Sequence, residues 1–177
     1  MRLGNAQKEM QGWIKEHPYL TRRPIRESAT ELKVQPRAMS PVGRARKMRD
    51  QRLEEGPNTV RQGAQNKHIP GTKEFEDKVK SLQIQAERAG TAPYPSPSYF
   101  TIPAEQVTLL VERAAGTGRP SCGIEGDWDH KEMCRAGHPI GVTVDKDGAE
   151  KPTQWFKIHY SKKGIHGVPM NPPEGDA

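Results

Sequence analysis

The segment Gln154–Ser161, QWFKIHYS, is the strongest constraint on the fold, because it alternates polar and apolar residues along its length. Side chains of a strand point to opposite faces in turn, so such alternation marks a half-buried strand. Phe156, Ile158 and Tyr160 fall on one face, and Trp155, Lys157, His159 and Ser161 on the other. The second face is unusual for the solvent side of a strand. It offers a titratable imidazole, a hydroxyl and a fixed cation beside an aromatic ring. Lys163-Gly164 follows, a weaker hairpin signal than Asn-Gly, and Ile165–Val168 supplies a partner strand. A two-residue Lys163-Gly164 loop sets Ser161 opposite His166 and gathers His159, Ser161 and His166 on one face. A three-residue loop sets His166 against Tyr160 and breaks that cluster. Both registers stay open at this point.

Upstream the signals are helical. Thr72 is placed to cap a helix that carries Phe75, Val79 and Leu82 on one side. Pro103 opens another, roughly Ala104–Ala115, with Val107, Leu110, Val111 and Ala114 on its apolar face, and Gly116 stops it. Phe100–Ile102 reads as a short strand, and Pro139–Val144 as a longer one that ends at the turn Asp145-Lys146-Asp147-Gly148. Helices come first and antiparallel strands second, the order of an α+β domain. We place that domain at residues 65–173, with a short tail at 174–177.

Residues 1–64 read differently. They hold 14 Lys+Arg against 7 Asp+Glu, whereas residues 65–177 hold 14 against 15. The basic character of the chain therefore belongs to this arm, which attracts phosphates without sequence preference. Pro24, Pro36 and Pro41 punctuate it. Met1–Trp13 and Arg44–Glu55 read as marginal helices with thin apolar stripes. A protease is expected to cut within residues 40–64 and to leave a stable fragment that begins near Gln65.

Several classes of protein are disfavoured. No apolar run is long enough to span a membrane. Met1–Met10 lacks the apolar core of a signal peptide, so the expected location is the cytoplasm, or a target cell reached through a phage particle or secretion system. Two cysteines are too few for a disulfide scaffold. Cys122, His130, Cys134 and His138 are zinc-ligand types, but they lack the tight Cys-Cys knuckle of the usual zinc patterns. Gly116-Thr117-Gly118 ends a helix and has no following Lys-Ser/Thr, so it is not a phosphate loop. No metal and no cofactor are expected.

Three stretches carry a family resemblance. They are Gln65-Asn66-Lys67-His68-Ile69-Pro70-Gly71-Thr72; Leu110–Gly118; and Pro152-Thr153 followed by Ile158–Pro169, IHYSKKGIHGVP. In order and spacing they resemble the type 50 polymorphic-toxin domain, which also occurs in phage minor head proteins. The resemblance implies a fold of the barnase, EndoU, colicin E5 and RelE kind and an RNase-like activity. The family tends to place an apolar β-branched residue where Gly167 stands here.

Metal-free RNA cleavage needs a base for the 2′-hydroxyl, an acid for the departing 5′-oxygen, and donors for the phosphoryl oxygens. His68 and His159 are the candidate acid/base pair, with His166 as the competitor and Ser161 beside them. Lys67, Lys80, Lys157 and Lys162 and the hydroxyls of Thr72, Ser81 and Thr153 are candidates to hold the substrate, and Trp155 to stack on a base. The partners this implies are RNA, an immunity protein, and a phage head or secretion apparatus. The other reading is a structural protein of a phage particle that carries an inactive domain.

Overall fold

The structure is a computed structural model that describes residues 39–91, 96–123 and 126–175. The expected helix Met1–Trp13 and the arm as far as Ala38 lie outside the described residues. Ala38–Ala177 form one unit, and among its described residues it is α+β. It contains α1 (Pro41–Glu55), the short α2 (Gln62–Gln65) continuing into a 3₁₀ turn (Asn66–His68), α3 (Lys73–Ala89), β1 (Tyr99–Phe100) and α4 (Ala104–Ala114). Six strands follow: β2 (Arg119–Cys122), β3 (Trp128–Arg135), β4 (Gly141–Val144), β5 (Glu150–Thr153), β6 (Trp155–Ser161) and β7 (Gly164–Pro169). They form two antiparallel sheets, β1-β4-β5 and β2-β3-β6-β7.

The elements follow from their residues. Thr72 caps α3, its Oγ1 accepting from the Phe75 amide, and Gly90 ends the helix at φ +62°. Phe156, Ile158 and Tyr160 on β6 are buried as their alternation demands, and they form the core with Phe100, Ile140 and Ile165 and with Val107 and Val111 of α4. Gly167 has no room for the family's branched residue: a Cβ there would stand 2.6 Å from Val111 Cγ2. The side chain is absent because α4 packs against the strand at that point.

Two features depart from the sequence reading. The folded unit starts before Gln65, because α1 packs on the sheet with Ala45 and Arg49 buried. Arg49 Nη1 donates to Glu132 Oε2 at 3.0 Å and to the Gly118 carbonyl at 2.7 Å. Glu132 is wholly buried, and its other oxygen accepts from Tyr160 Oη at 2.5 Å and from the Gly116 amide at 2.7 Å. Beside the small apolar contact of Ala45 and Leu53, what α1 brings to the buried interface is thus one half of a charge pair.

The second departure is the hairpin loop. Ser161 pairs with Gly164, so Lys162-Lys163 is the turn and His159 stands directly opposite His166. Neither of the two registers weighed above occurs. Gly164 serves close approach at the start of β7 instead of the turn itself: it sits at φ +126°, and a Cβ there would meet the Thr59 carbonyl at 2.6 Å. The outer edge of β7 is covered by Thr59–Arg61, through Ile165 N to Thr59 O at 3.1 Å and Arg61 N to Ile165 O at 2.8 Å.

Candidate active site

The face of the β2-β3-β6-β7 sheet opposite the core carries the polar groups. His159 of β6 and His166 of β7 are cross-strand partners, stacked with ring centroids 4.9 Å apart and planes inclined by 27°. His68, from the 3₁₀ turn, also stacks on His166, with centroids 6.3 Å apart and planes inclined by 13°. The three imidazoles form a row with His166 in the middle. Residues separated by almost a hundred positions meet because Gln65, fully buried, holds the turn against the strand. Its Oε1 accepts from the Gly167 amide at 2.8 Å, and its Nε2 donates to the Gly167 carbonyl at 3.1 Å.

The hydrogen bonds assign a tautomer to His68. Its Nδ1 lies 2.8 Å from the Ser98 carbonyl. A carbonyl only accepts, so Nδ1 carries the proton and Nε2 of the neutral ring keeps its lone pair. Burial lowers the pKa of His68, and the nearby charges of Lys78 and Lys67 lower it further, against the opposing pull of the Ser98 carbonyl. His159 is pushed down to about 4, first by burial and then by Lys131 and Lys157. His166 is also pushed down to about 4, by burial and then by its histidine neighbours, Lys67 and Arg61. The free site therefore holds neutral imidazoles in a ring of cations, a setting that favours an incoming anion.

This arrangement makes stability depend on pH. Unfolded, both strand histidines titrate near 6.5; folded, near 4. Between these values the unfolded chain binds more protons, so stability is full above the unfolded pKa and is lost as pH falls through the window. We expect the melting temperature to drop steadily from pH 6.5 to 4, and to drop less in His159→Ala and His166→Ala. A wild-type melting temperature that stays flat over that range contradicts the burial described.

The other expected site residues separate into two groups. Lys157 shares the face of His159 and is half-buried, and Lys67 is exposed beside His68. Trp155 lies on the same face at the other end of β6, under the Arg135 guanidinium at 5.7 Å. Ser81 lines a groove with Lys67, Glu74, Asp77 and Lys78. Three hydroxyls are bonded within the protein. Thr72 Oγ1 donates to the Asn66 and Ile69 carbonyls as well as capping α3. Thr153 Oγ1 bonds Met170 O at 2.7 Å and the Trp155 amide, and Ser161 Oγ donates to Gly164 O across the turn. Lys80 and Lys162 are exposed, on α3 and at the hairpin tip.

The sequence reading missed Asp129 and Lys131 of β3. Lys131 is the cross-strand partner of His159 on its other side, so it extends the row. Lys78 of α3, not Lys80, is the helix cation whose charge bears on His68. The four zinc-ligand types do not converge. Cys134 is buried in the core and Cys122 half-buried, while His130 and His138 are exposed. Among the described residues no group of three His, Cys, Asp or Glu is placed to hold a metal. Nor is any helix among them long and apolar enough to cross a membrane.

A family model described as bacterial toxin 50 matches residues 60–169. No curated protein and no solved structure matches the chain. The match takes in the whole of the histidine row, and it starts at Val60, where the chain first bridges to Ile165 of β7. It covers more than half of the 177 residues, so the chain belongs to the bacterial toxin 50 family and carries a toxin domain.

Proposed function

We propose that this toxin domain is a metal-independent endoribonuclease. The observation that carries the reading is the row His68–His166–His159, in which the ring at one end has its tautomer set by a backbone carbonyl. Nε2 of His68 is the base that takes the 2′-hydroxyl proton. The freed 2′-oxygen attacks phosphorus, and the bond to the 5′-oxygen breaks as His159, in its protonated form, gives a proton to that oxygen. His166 lies between the two and keeps their separation. Lys67 and Lys157 flank the row where the phosphoryl charge builds up. Trp155 stands along β6, where a neighbouring base can stack on it.

An immunity protein that covers this face, and delivery by a particle or secretion apparatus, belong to the same proposal. The alternative, a particle protein with an inactive domain, gains no support from a site face that keeps three imidazoles in register.

End-group analysis of cleaved RNA is the test. The product is expected to carry a 2′,3′-cyclic phosphate. DNA, and RNA methylated on the 2′-oxygen at the cut, should resist, and EDTA should leave the rate unchanged. Products with a 5′-phosphate refute the mechanism.

A further inference from the structure

A histidine whose pKa lies near 4 is mostly unprotonated at neutral pH, yet the reading above asks His159 to deliver a proton. The groups beside it supply an answer. Lys131 stands directly across from His159 in the β3–β6 register, which puts the two Cβ atoms about 5 Å apart. Its Nζ is held by Asp129 Oδ2 at 3.1 Å, and Ser121 Oγ donates to that same oxygen at 3.1 Å. The other oxygen, Asp129 Oδ1, is buried and has no hydrogen-bond partner; it is the one buried side-chain atom so left among the described residues. A buried carboxylate oxygen without a donor is costly and calls for an explanation. Lys131 is half-buried, not solvated at a turn like Lys162 and Lys163.

Resting on the reading of the row as a phosphodiester-cleaving site, we propose that Lys131 is the cation that receives the scissile phosphate, and that its transfer from Asp129 to the phosphate is what charges His159. At rest Lys131 answers the charge of Asp129 and repels a proton on His159. When a phosphodiester arrives, the ammonium turns to its oxygens. Asp129 then loses its counter-ion while its second oxygen still lacks a donor. His159, across the strand from Lys131 and already favoured in its charged form by Asp129, then takes a proton from solvent and becomes the acid. Apart from Lys131, the charges that bear on His159 are Lys157 on its own strand and His68, which both disfavour its protonation, and Asp129, which favours it; the uncharged ring of His166 stacks beside it. Asp129 is thus a positioning residue that acts through Lys131 and His159, and Lys131 is a catalytic residue.

The test is an NMR titration of the His159 ring in the full chain, with and without inorganic phosphate, for wild type, Lys131→Met, Lys131→Arg and Asp129→Asn. Phosphate should raise the wild-type His159 pKa by a unit or more. In Lys131→Met the free pKa should already be higher, and phosphate should move it much less. In Asp129→Asn the free pKa should fall below the wild-type value, again with a weak response. Lys131→Arg should keep most of the coupling and shows that the fold tolerates change there. RNA turnover should fall roughly a hundredfold in Lys131→Met, as for loss of one preorganised donor to developing charge. Equal phosphate responses in wild type, Lys131→Met and Asp129→Asn overturn the proposal. The titration does not need RNA to be cleaved. Coupling without cleavage would therefore leave the Lys131 site standing and sink the ribonuclease reading, whereas cleavage with an unchanged rate in Lys131→Met would do the reverse.

Discussion

Replacing His159 or His68 by alanine should lower the rate of RNA cleavage roughly a hundredfold or more, the loss typical of a missing general acid or base. The two losses should also differ in kind. Without His68, the 2′-hydroxyl has no acceptor, and RNAs with good and poor leaving groups suffer alike. Without His159, the departing 5′-oxygen is unprotonated, so a substrate with an activated leaving group should recover much of the rate. His166→Gln, which keeps a planar polar side chain between the two, should cost less than either. Lys163→Ala, at the exposed tip of the turn, should cost little. One ring must be neutral and the other charged, so the pH profile of kcat/KM should be bell-shaped. Both free-enzyme values lie below 6.5, which places the maximum on the acid side of neutrality. Wild-type activity in His159→Ala would remove the assignment.

The largest expected effect on stability lies outside the site. Arg49→Met leaves the Glu132 charge buried without its partner, and breaking a buried pair in this way costs about 3–5 kcal/mol. Glu132→Ala should cost at least as much, because it also orphans Tyr160 Oη and the Gly116 amide, which both bond Glu132 Oε1. In contrast, Arg49→Met combined with Glu132→Gln should recover a large part of the loss. The amide oxygen can accept from the same two donors and brings no charge to be balanced. Urea melts of the three variants decide it; a double variant no more stable than the worse single one would show that the pair matters for shape and not for charge. The same reasoning applies to a fragment of residues 60–177. It retains the family match and the histidine row but has lost Arg49, so it should fold less stably than the full chain and bind the hydrophobic dye ANS more strongly.

These two sites differ in how legible they were. The β6 strand was plain because every second residue is apolar and buried, and α4 because Val107 and Val111 recur at helical spacing and are fully covered. The neighbouring strand β3, WDHKEMCR, was missed for a physical reason: its inward face holds Glu132, a charge that breaks the alternation by which strands are recognised. Helix α1 was underrated for the matching reason, since the side chain it buries is Arg49. Each residue looks like surface until the other is seen 83 positions away. The same gap hid Asp129 and Lys131, whose place in the row follows only from the pairing of β3 with β6. β5, Glu150–Thr153, is polar at three of four positions, and nothing in its composition separates it from a loop. The hairpin loop was misjudged because glycine has two uses, tight turning and close approach, and Gly164 serves the second.

The amide of Gln65 has a consequence of its own. It grips both backbone groups of Gly167, the residue after His166, and the chain reaches His68 three residues beyond it. One uncharged side chain therefore acts as the ruler that fixes the gap between the turn and the strand. Reactions of this kind lose rate steeply when the reacting groups drift by even about an ångström. A protein with the ruler loosened would keep every catalytic group, its charge and its overall shape, and would still work poorly. Its fault would lie in the width of a distance distribution, which amide hydrogen exchange at Gly167 would report.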